Sequence, residues 1–280
     1  MSRNYLINET LNEGSYRLVE PLHLGPYRKL YLAARTHAPD QQFLASIVTV
    51  ATPPVVEELR KQLAYQLPGV LELDFIGHFD IHGADQTQRS AQEGNWAMLE
   101  RLPRGSWLRR LTTGTLGASA AVRLGLSVGD ILLRAASHGV LLTDIRPDYI
   151  WAEEDDGQIL ATGLTARSER FFQCQSKHWT KIFFPHHYDS PDRRNVSVAS
   201  LTFTLATMIA EWILGAYPFP KPGPDRLSAE QYEGRPPALP VTKPLAQVLQ
   251  RAFTADPAHR PALAQFLAEL KALRAEDLAI

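Results

Sequence analysis

Short runs of alternating apolar and polar residues dominate the first part of the chain. The runs YRLVEPLHL, RKLYLAA and FLASIVTV lie between residues 16 and 50, interrupted by Gly25-Pro26 and a polar turn. Alternation with a period of two is typical of strands, so we predict three strands here. Apolar residues then recur at helical spacing over 55–67, which predicts one helix that ends at Pro68. The stretches VLELDFIGHFDI and WAMLERL predict two further strands.

Helical periodicity dominates the chain beyond Pro103. One apolar stripe runs along the segment that ends at Ser137, and a second marks the final helix, LAQFLAELKALRAE. Between them, IRPDYIWAEEDDGQILATG predicts two short strands around the tight turn Asp156-Gly157. The pattern therefore predicts an α+β chain: a small antiparallel β lobe with one helix, then a larger and mainly helical lobe.

The composition is that of a globular chain with a large core. The 280 residues are 45% hydrophobic, and 29 basic against 30 acidic side chains give a net charge of -1. This balance provides no field to attract nucleic acid or an acidic membrane surface. The apolar stretch 198–215 contains Glu211 and several hydroxyl residues, so we predict a buried helix and no membrane span. The single Cys174 and the lack of a secretory signal pattern predict a cytoplasmic protein.

Four stretches of the sequence resemble motifs of a known family. They are VLLTDIRPDYIW (140–151), AMLERLPRGSWL (97–108), EWILGAYPF (211–219) and QRAFTADPAHRPALAQFLAEL (250–270). They resemble, in that order, the catalytic loop, the hinge, the E-L-L-T-G-x-x-P-F stretch and the closing D-P-x-x-R-P motif of the bacterial serine/threonine protein kinases. The resemblance implies a bilobal protein-kinase-like fold, with an N-terminal extension at 1–14, an N-lobe at 15–102 and a C-lobe at 103–280.

The catalytic positions implied by this resemblance are only partly kept. Asp144 retains the position of the catalytic base, and Arg146 takes that of the following Lys. Tyr149 replaces the metal-binding Asn, and Thr162 replaces the Asp of the metal-binding Asp-Phe-Gly motif. Both protein ligands for magnesium would then be lost. We therefore interpret Asp144 and Arg146 as vestigial and expect no metal site at Tyr149 or Thr162.

The positions that would hold a nucleotide are degenerate as well. Only Gly25 remains of the glycines that cover the phosphates, and no Lys occurs between Lys29 and Lys61. Glu58, or Glu57 if the register slips by one, matches the helix Glu that would pair with the missing Lys, and Glu100 lies in the hinge. At roughly 1.5–3 kcal/mol per charge-assisted contact, losing the Lys, Asp and Asn removes about 5–9 kcal/mol of binding free energy. We therefore expect no ATP binding and no cofactor.

The segment 166–194 combines six aromatic residues with six Arg or Lys. It aligns with the activation segment of the kinases, whose Ala-Pro-Glu signature is only faintly matched at 184–186. Aromatic residues beside Arg are typical anchors of protein interfaces, which predicts a partner-binding face that includes Trp179, Phe183 and Phe184. The same rings are equally compatible with packing against the helical lobe.

Together these departures predict a catalytically inactive pseudokinase. It would not be an enzyme, and it would act as a scaffold or regulator that binds a protein partner, such as an active kinase or another component of its pathway. Neither nucleic acid nor a membrane is expected as a partner. Two alternatives stay open: an atypical nucleotide-dependent phosphotransferase that uses Asp144 and Arg146, and a metal-independent nucleotide-binding switch.

Overall fold

The computed structural model describes residues 6–24, 28–51, 67–79, 94–102, 106–107, 115–142, 145–155, 158–164, 190–191, 197–220, 228–236 and 238–278. These residues form two compact units. The first contains the described residues up to 51 together with 71–79 and 94–102. The second contains 67–70 and the described residues from 106 onward.

Two predictions about the organisation of the chain are not tested by the described residues. The predicted helix 55–67 lies outside them except for Leu67. The domain limits at 1–14, 15–102 and 103–280 stay predictions.

The first unit is built around a six-stranded antiparallel sheet. Its strands are β1 (Thr10–Leu11), β2 (Tyr16–Leu24), β3 (Arg28–Arg35), β4 (Ala38–Ala51), β5 (Leu73–Phe79) and β6 (Gly94–Arg101). They lie in the order β1-β2-β3-β4-β6-β5. The five strands expected from alternation are confirmed as β2 to β6. The two-residue β1 is too short to produce such a pattern.

The two faces of this sheet carry different sets of side chains, because successive residues of a strand point to opposite sides. The first face holds an apolar cluster that includes Leu18, Tyr31, Ala33, Phe43, Ala45, Ile47, Ala97 and Leu99. The alternate positions of β3, β4 and β6 define what we call the second face: Leu30, Leu44, Ser46, Met98 and Glu100. All five are fully buried.

The second unit contains helices and a small sheet. The helices are α1 (Ala118–Ser137), α2 (Val198–Leu214), α3 (Ala229–Tyr232), α4 (Lys243–Ala252) and α5 (Leu263–Lys271). The sheet comprises β7 (Ser106–Trp107), β8 (Ile150–Asp155) and β9 (Gln158–Leu164) in the order β7-β8-β9. The predicted pair of strands after the first helix is confirmed as β8 and β9, which pair antiparallel.

The core of the second unit forms where α1 packs closely on α2 and α5. A Cβ atom placed on Gly125 would lie 2.5 Å from Ile209 of α2, and one on Gly129 would lie 2.3 Å from Leu267 of α5. A larger residue at either position would therefore require the facing Ile209 or Leu267 side chain to move. Helix α2 is buried on nearly every side, which explains its apolar sequence. None of the helices in the described ranges combines the length and the apolar character that a membrane crossing requires.

Candidate functional site

The segment that resembles the catalytic loop begins where α1 ends. The Val140 amide donates a hydrogen bond to the Ala135 carbonyl at 3.0 Å, which closes the last turn of the helix. Leu142 and Ile145 are buried in the core of the second unit and fix the chain on both sides of positions 143–144. Asp144 itself lies outside the described residues, so its role as a base stays a prediction.

A short turn places Arg146 and Tyr149 beside each other. Arg146 has an extended backbone, as expected for a residue that precedes proline. Pro147 begins a 3-10 turn, Pro147–Tyr149, in which the Tyr149 amide donates to the Arg146 carbonyl at 2.9 Å. The turn therefore directs both side chains to the same side of the loop.

The side chains of Arg146 and Tyr149 form a pair. Arg146 Nη2 donates a hydrogen bond to the Tyr149 hydroxyl, and the guanidinium carbon lies 4.3 Å from the centroid of the Tyr149 ring. Tyr149 is fully buried, whereas Arg146 is half-buried. A cation held against an aromatic face and by a hydrogen bond loses much of its freedom to move. Arg146 is therefore a positioned, partly accessible cation.

Thr162 is held within the hairpin formed by β8 and β9. Its hydroxyl donates to the Trp151 carbonyl across the hairpin at 3.3 Å. The neighbouring Ala161 carbonyl accepts a hydrogen bond from Ser127 Oγ of α1 at 3.0 Å, which anchors β9 to that helix. The hydroxyl of Thr162, which the resemblance aligns with a metal-binding Asp, is thus engaged with the backbone.

The side chains at these positions do not fit the magnesium ion that the kinase resemblance implies. Magnesium prefers carboxylate and other hard oxygen ligands in octahedral geometry. Here the two positions carry hydroxyls, of which that of Tyr149 accepts from Arg146 and that of Thr162 donates to a carbonyl. The reaction proposed for this chain therefore uses no metal ion.

Glu100 of β6 has an unusual environment in the first unit. It pairs with Leu44 of β4 and Leu73 of β5 across the sheet and is fully buried. Within the part of the chain that the structure describes, neither of its carboxylate oxygens has a hydrogen-bond partner. Buried polar groups are nearly always hydrogen-bonded, so this carboxylate is an exception that calls for an explanation. The sequence marked Glu100 only through the hinge resemblance, because burial and a missing partner leave no sequence signal.

Arg260, the Arg of the closing motif, contacts Ser190, a residue that the sequence interpretation missed. Its guanidinium donates to Ser190 Oγ at 2.9 Å and stacks 5.2 Å from the centroid of the Phe203 ring. It also donates to three backbone carbonyls, those of Ala199, Thr254 and Ala255. The sequence Ser190-Pro191-Asp192 matches the small-Pro-acidic pattern of Ala-Pro-Glu better than residues 184–186 do. The contact with Ser190 therefore corrects the earlier alignment of that signature.

A charged cluster in the first unit was also not expected. The Asp74 carboxylate accepts hydrogen bonds from Tyr16, from Arg35 at 2.8 Å and from Arg101 at 3.0 Å. Burial raises the pKa of Asp74, but these three donors together outweigh it and hold the pKa below its ordinary value. Burial, reinforced by the hydrogen bond to Asp74, raises the pKa of Tyr16. These residues are far apart in sequence, so no local pattern reveals the cluster.

The remaining predicted site residues lie outside the described ranges. They are Gly25, Glu58, Trp179, Phe183 and Phe184, together with Asp144. Their predicted roles in cofactor binding, catalysis and partner binding stay predictions.

Comparison with known proteins establishes the fold. No model of a protein family matches the sequence, and no curated protein matches it. Among solved structures, the chain is similar to the kinase domain of PknI from Mycobacterium tuberculosis, with a TM-score of 0.61 and 18% identity over 92% of this chain and 95% of that one. It is also similar to Rad53 1-466 in complex with AMP-PNP, with a TM-score of 0.64 and 16% identity over 92% of this chain and 65% of that one.

The chain therefore has the predicted bilobal α+β protein-kinase-like fold. The same finding corrects the prediction that the chain is not an enzyme. The PknI structure that it resembles is a protein kinase domain, so the fold gives no ground for calling the chain a non-enzyme.

Proposed function

We propose that this kinase-fold chain is an atypical nucleotide-dependent phosphotransferase. The observation that carries the proposal is the position of Arg146, which lies two residues after Asp144 in the sequence. The ring and the hydroxyl of Tyr149 hold its guanidinium in place. Arg is well suited to phosphate because its planar fork of N–H donors matches phosphate oxygens. The catalytic-loop resemblance assigns the base position to Asp144.

The proposed reaction transfers the terminal phosphoryl group of a nucleoside triphosphate to a hydroxyl. The acceptor oxygen forms a bond to the γ-phosphorus while the bond from that phosphorus to the β,γ-bridging oxygen breaks. The electron pair of the broken bond leaves with the nucleoside diphosphate, and the acceptor's proton passes to the Asp144 carboxylate. Arg146 donates to the γ-phosphate oxygens and offsets the charge that spreads over them in the transition state.

Binding of the triphosphate should be weak in this scheme. The strand Lys and the metal ligands at positions 149 and 162 are replaced, so Arg146 bears much of the neutralisation of the phosphates. Weak binding is compatible with catalysis, since a contact that strengthens in the transition state raises the turnover rate and not only the affinity.

The experiment compares turnover of a γ-labelled nucleoside triphosphate by the wild type, Arg146→Lys and Arg146→Met. We expect Arg146→Met to lower turnover by at least about tenfold and Arg146→Lys to retain part of it, because Lys keeps the charge but not the fork of donors. Arg235→Met is the matched control, since Arg235 is 68% exposed and pairs only with the neighbouring Glu233 in the described structure. Equal turnover in Arg146→Met and the wild type would exclude the proposed role of Arg146.

A metal-independent nucleotide-binding switch is the second candidate. It is favoured because the two hydroxyls are poor magnesium ligands. The Tyr149 hydroxyl accepts a hydrogen bond from Arg146, and the Thr162 hydroxyl donates one to the Trp151 carbonyl. A switch would bind the triphosphate equally well with and without a chelator and would leave it intact. The turnover measurement therefore separates the two candidates.

A protein partner belongs to the same proposal. The concentration of aromatic and basic residues over 166–194 supports a partner-binding face with Trp179, Phe183 and Phe184 as anchors. Trp179→Ala should weaken binding of a phosphoacceptor protein at least about tenfold while the melting temperature stays nearly unchanged. A large drop in melting temperature would instead assign the ring to the core. A cytoplasmic location is also proposed, since Cys174 is the single cysteine.

A further inference from the structure

The last turn of helix α1 carries a serine hydroxyl beside an arginine on the surface of the second unit. Arg134, Ser137 and His138 are all exposed. Residues three and four apart share one face of a helix, so these three side chains lie together on the outer face of the turn. Ala135 of the same turn is fully buried in the core. The end of α1 therefore presents a hydroxyl and a guanidinium together to solvent.

Hydrogen bonds fix the Ser137 hydroxyl at this surface. Its Oγ donates to the Arg134 carbonyl at 2.7 Å, and His138 Nδ1 lies 2.9 Å from the same carbonyl oxygen and 3.3 Å from Oγ. Gly139 follows with a φ of +77°. Within the described part of the chain, no atom beyond its neighbours lies within 4 Å of a Cβ placed on Gly139. The described structure thus leaves this turn open to a second protein molecule.

The proposed reaction is short of positive charge at the phosphates. The strand Lys and the metal ligands are replaced, so Arg146 bears much of the neutralisation. A guanidinium that reaches the transferred phosphoryl group from another molecule, as an arginine finger does, supplies such charge. Arg134 lies three residues before the exposed Ser137 hydroxyl on the same helix face. An acceptor with this arrangement brings a guanidinium together with the attacking oxygen.

We propose that Ser137 of a second copy of this chain is the phosphoryl acceptor, and that Arg134 of that copy supplies the added cation. The inference rests on the proposed phosphotransferase function. Ser137 Oγ forms a bond to the γ-phosphorus of the nucleoside triphosphate while the bond from that phosphorus to the β,γ-bridging oxygen breaks. The electron pair leaves with the nucleoside diphosphate, and the hydroxyl proton passes to Asp144 of the first copy. The substrate class is a serine that an arginine precedes by three residues.

The first test separates the copy that acts from the copy that accepts. Untagged wild type is incubated with γ-labelled ATP or GTP and a tagged Asp144→Asn copy, which lacks the proposed base. Trypsin releases the peptide 135–167 from the tagged copy, and its fragmentation distinguishes Ser137 from the hydroxyls that follow it. We expect phosphate at Ser137 of the tagged copy. A tagged copy that also carries Ser137→Ala should lose this label.

The second test changes the cation of the accepting copy only. Arg134→Met in the tagged copy should lower the rate of transfer to Ser137 at least about tenfold, because the added guanidinium is lost from the transition state. Arg134→Lys should retain part of the rate, since Lys keeps the charge but not the fork of donors. Arg251→Met in the tagged copy is the matched control, because Arg251 is also exposed in a helix of this unit.

The outcomes distinguish this inference from the proposed function. Transfer to a dephosphorylated casein without phosphate at Ser137 of the tagged copy would overturn the inference and leave the proposed function intact. Equal transfer to the Arg134→Met copy and to the copy with Arg134 would overturn the role of Arg134. If neither casein nor the tagged copy is labelled, both the inference and the proposed function fail.

Discussion

The guanidinium of Arg146 lies 4.3 Å from the ring centroid of Tyr149 and donates a hydrogen bond to the hydroxyl of the same residue. Tyr149, which the motif resemblance aligns with the metal-binding Asn of kinases, therefore positions a cation. Positive charge near the phosphates is what magnesium and the strand Lys supply in kinases. Tyr149 contributes the contact that orients Arg146.

This relationship predicts that Asn at position 149, the residue that the kinase resemblance implies there, is harmful. Tyr149→Asn leaves a cavity in place of a fully buried ring, which should lower the free energy of unfolding by roughly 3–5 kcal/mol. Tyr149→Phe keeps the ring and loses only the hydroxyl, so it should cost about 1 kcal/mol. Denaturant unfolding measures both, with the exposed Tyr232→Asn as the control. An Asn variant as stable as the wild type would show that the ring does not contribute to packing.

The Asp74 cluster predicts a dependence of stability on pH. Because the pKa of folded Asp74 lies below the ordinary value of about 3.9, the cluster stabilises the fold above that pH and loses its effect as the pH falls through the folded-state pKa. Asp74→Asn should lower the free energy of unfolding by roughly 1–3 kcal/mol at pH 7. Urea titrations at a series of pH values from 7 downward should show the free energies of unfolding of the wild type and of Asp74→Asn converging below about pH 4.

The control for that measurement is Glu72→Gln, which removes an exposed carboxylate that also pairs with Arg101. Its effect on the free energy of unfolding should stay within about 0–1 kcal/mol at every pH, since exposed ion pairs contribute little. If the free energies of unfolding of Asp74→Asn and the wild type differ by the same amount over the whole pH range, the assignment of the lowered pKa to Asp74 is contradicted.

The contacts of Arg260 predict that Lys cannot replace it. Its guanidinium reaches Ser190 and three backbone carbonyls from different nitrogens, whereas an ammonium group is a single point with three donors. Arg260→Lys should lower the free energy of unfolding by roughly 2–4 kcal/mol, as expected when buried acceptors lose their donors. Arg251→Lys is the matched control on the exposed side of α4, where it pairs with Glu269. Equal stability of both variants would show that the Arg260 contacts are dispensable.

Much of the fold could be predicted because each element carries a local signal. Alternation identified the strands β2 to β6, and the apolar stripe that ends near Ser137 identified α1. The hairpin of β8 and β9 followed from apolar residues flanking Asp156-Gly157. These signals depend only on neighbours along the chain.

The candidate site was less predictable because its contacts join residues in ways that alignment does not reveal. The pairing of Arg146 with Tyr149 depends on a 3-10 turn, and the contact of Arg260 with Ser190 joins residues far apart in sequence. The unpartnered state of Glu100 depends on what the rest of the fold brings near it. A motif alignment scores each position by itself, so it recorded these residues as losses or missed them.

The most direct test of the account is phosphoryl transfer itself. The full chain would be incubated with γ-labelled ATP or GTP, with a dephosphorylated casein as the hydroxyl acceptor, and the label in protein would be counted for the wild type and for Asp144→Asn. The account predicts label on the acceptor or on the chain itself, reduced by about a hundredfold or more in Asp144→Asn, as expected when a positioned base is removed. Wild-type incorporation no greater than that of Asp144→Asn, with either nucleotide, would contradict it.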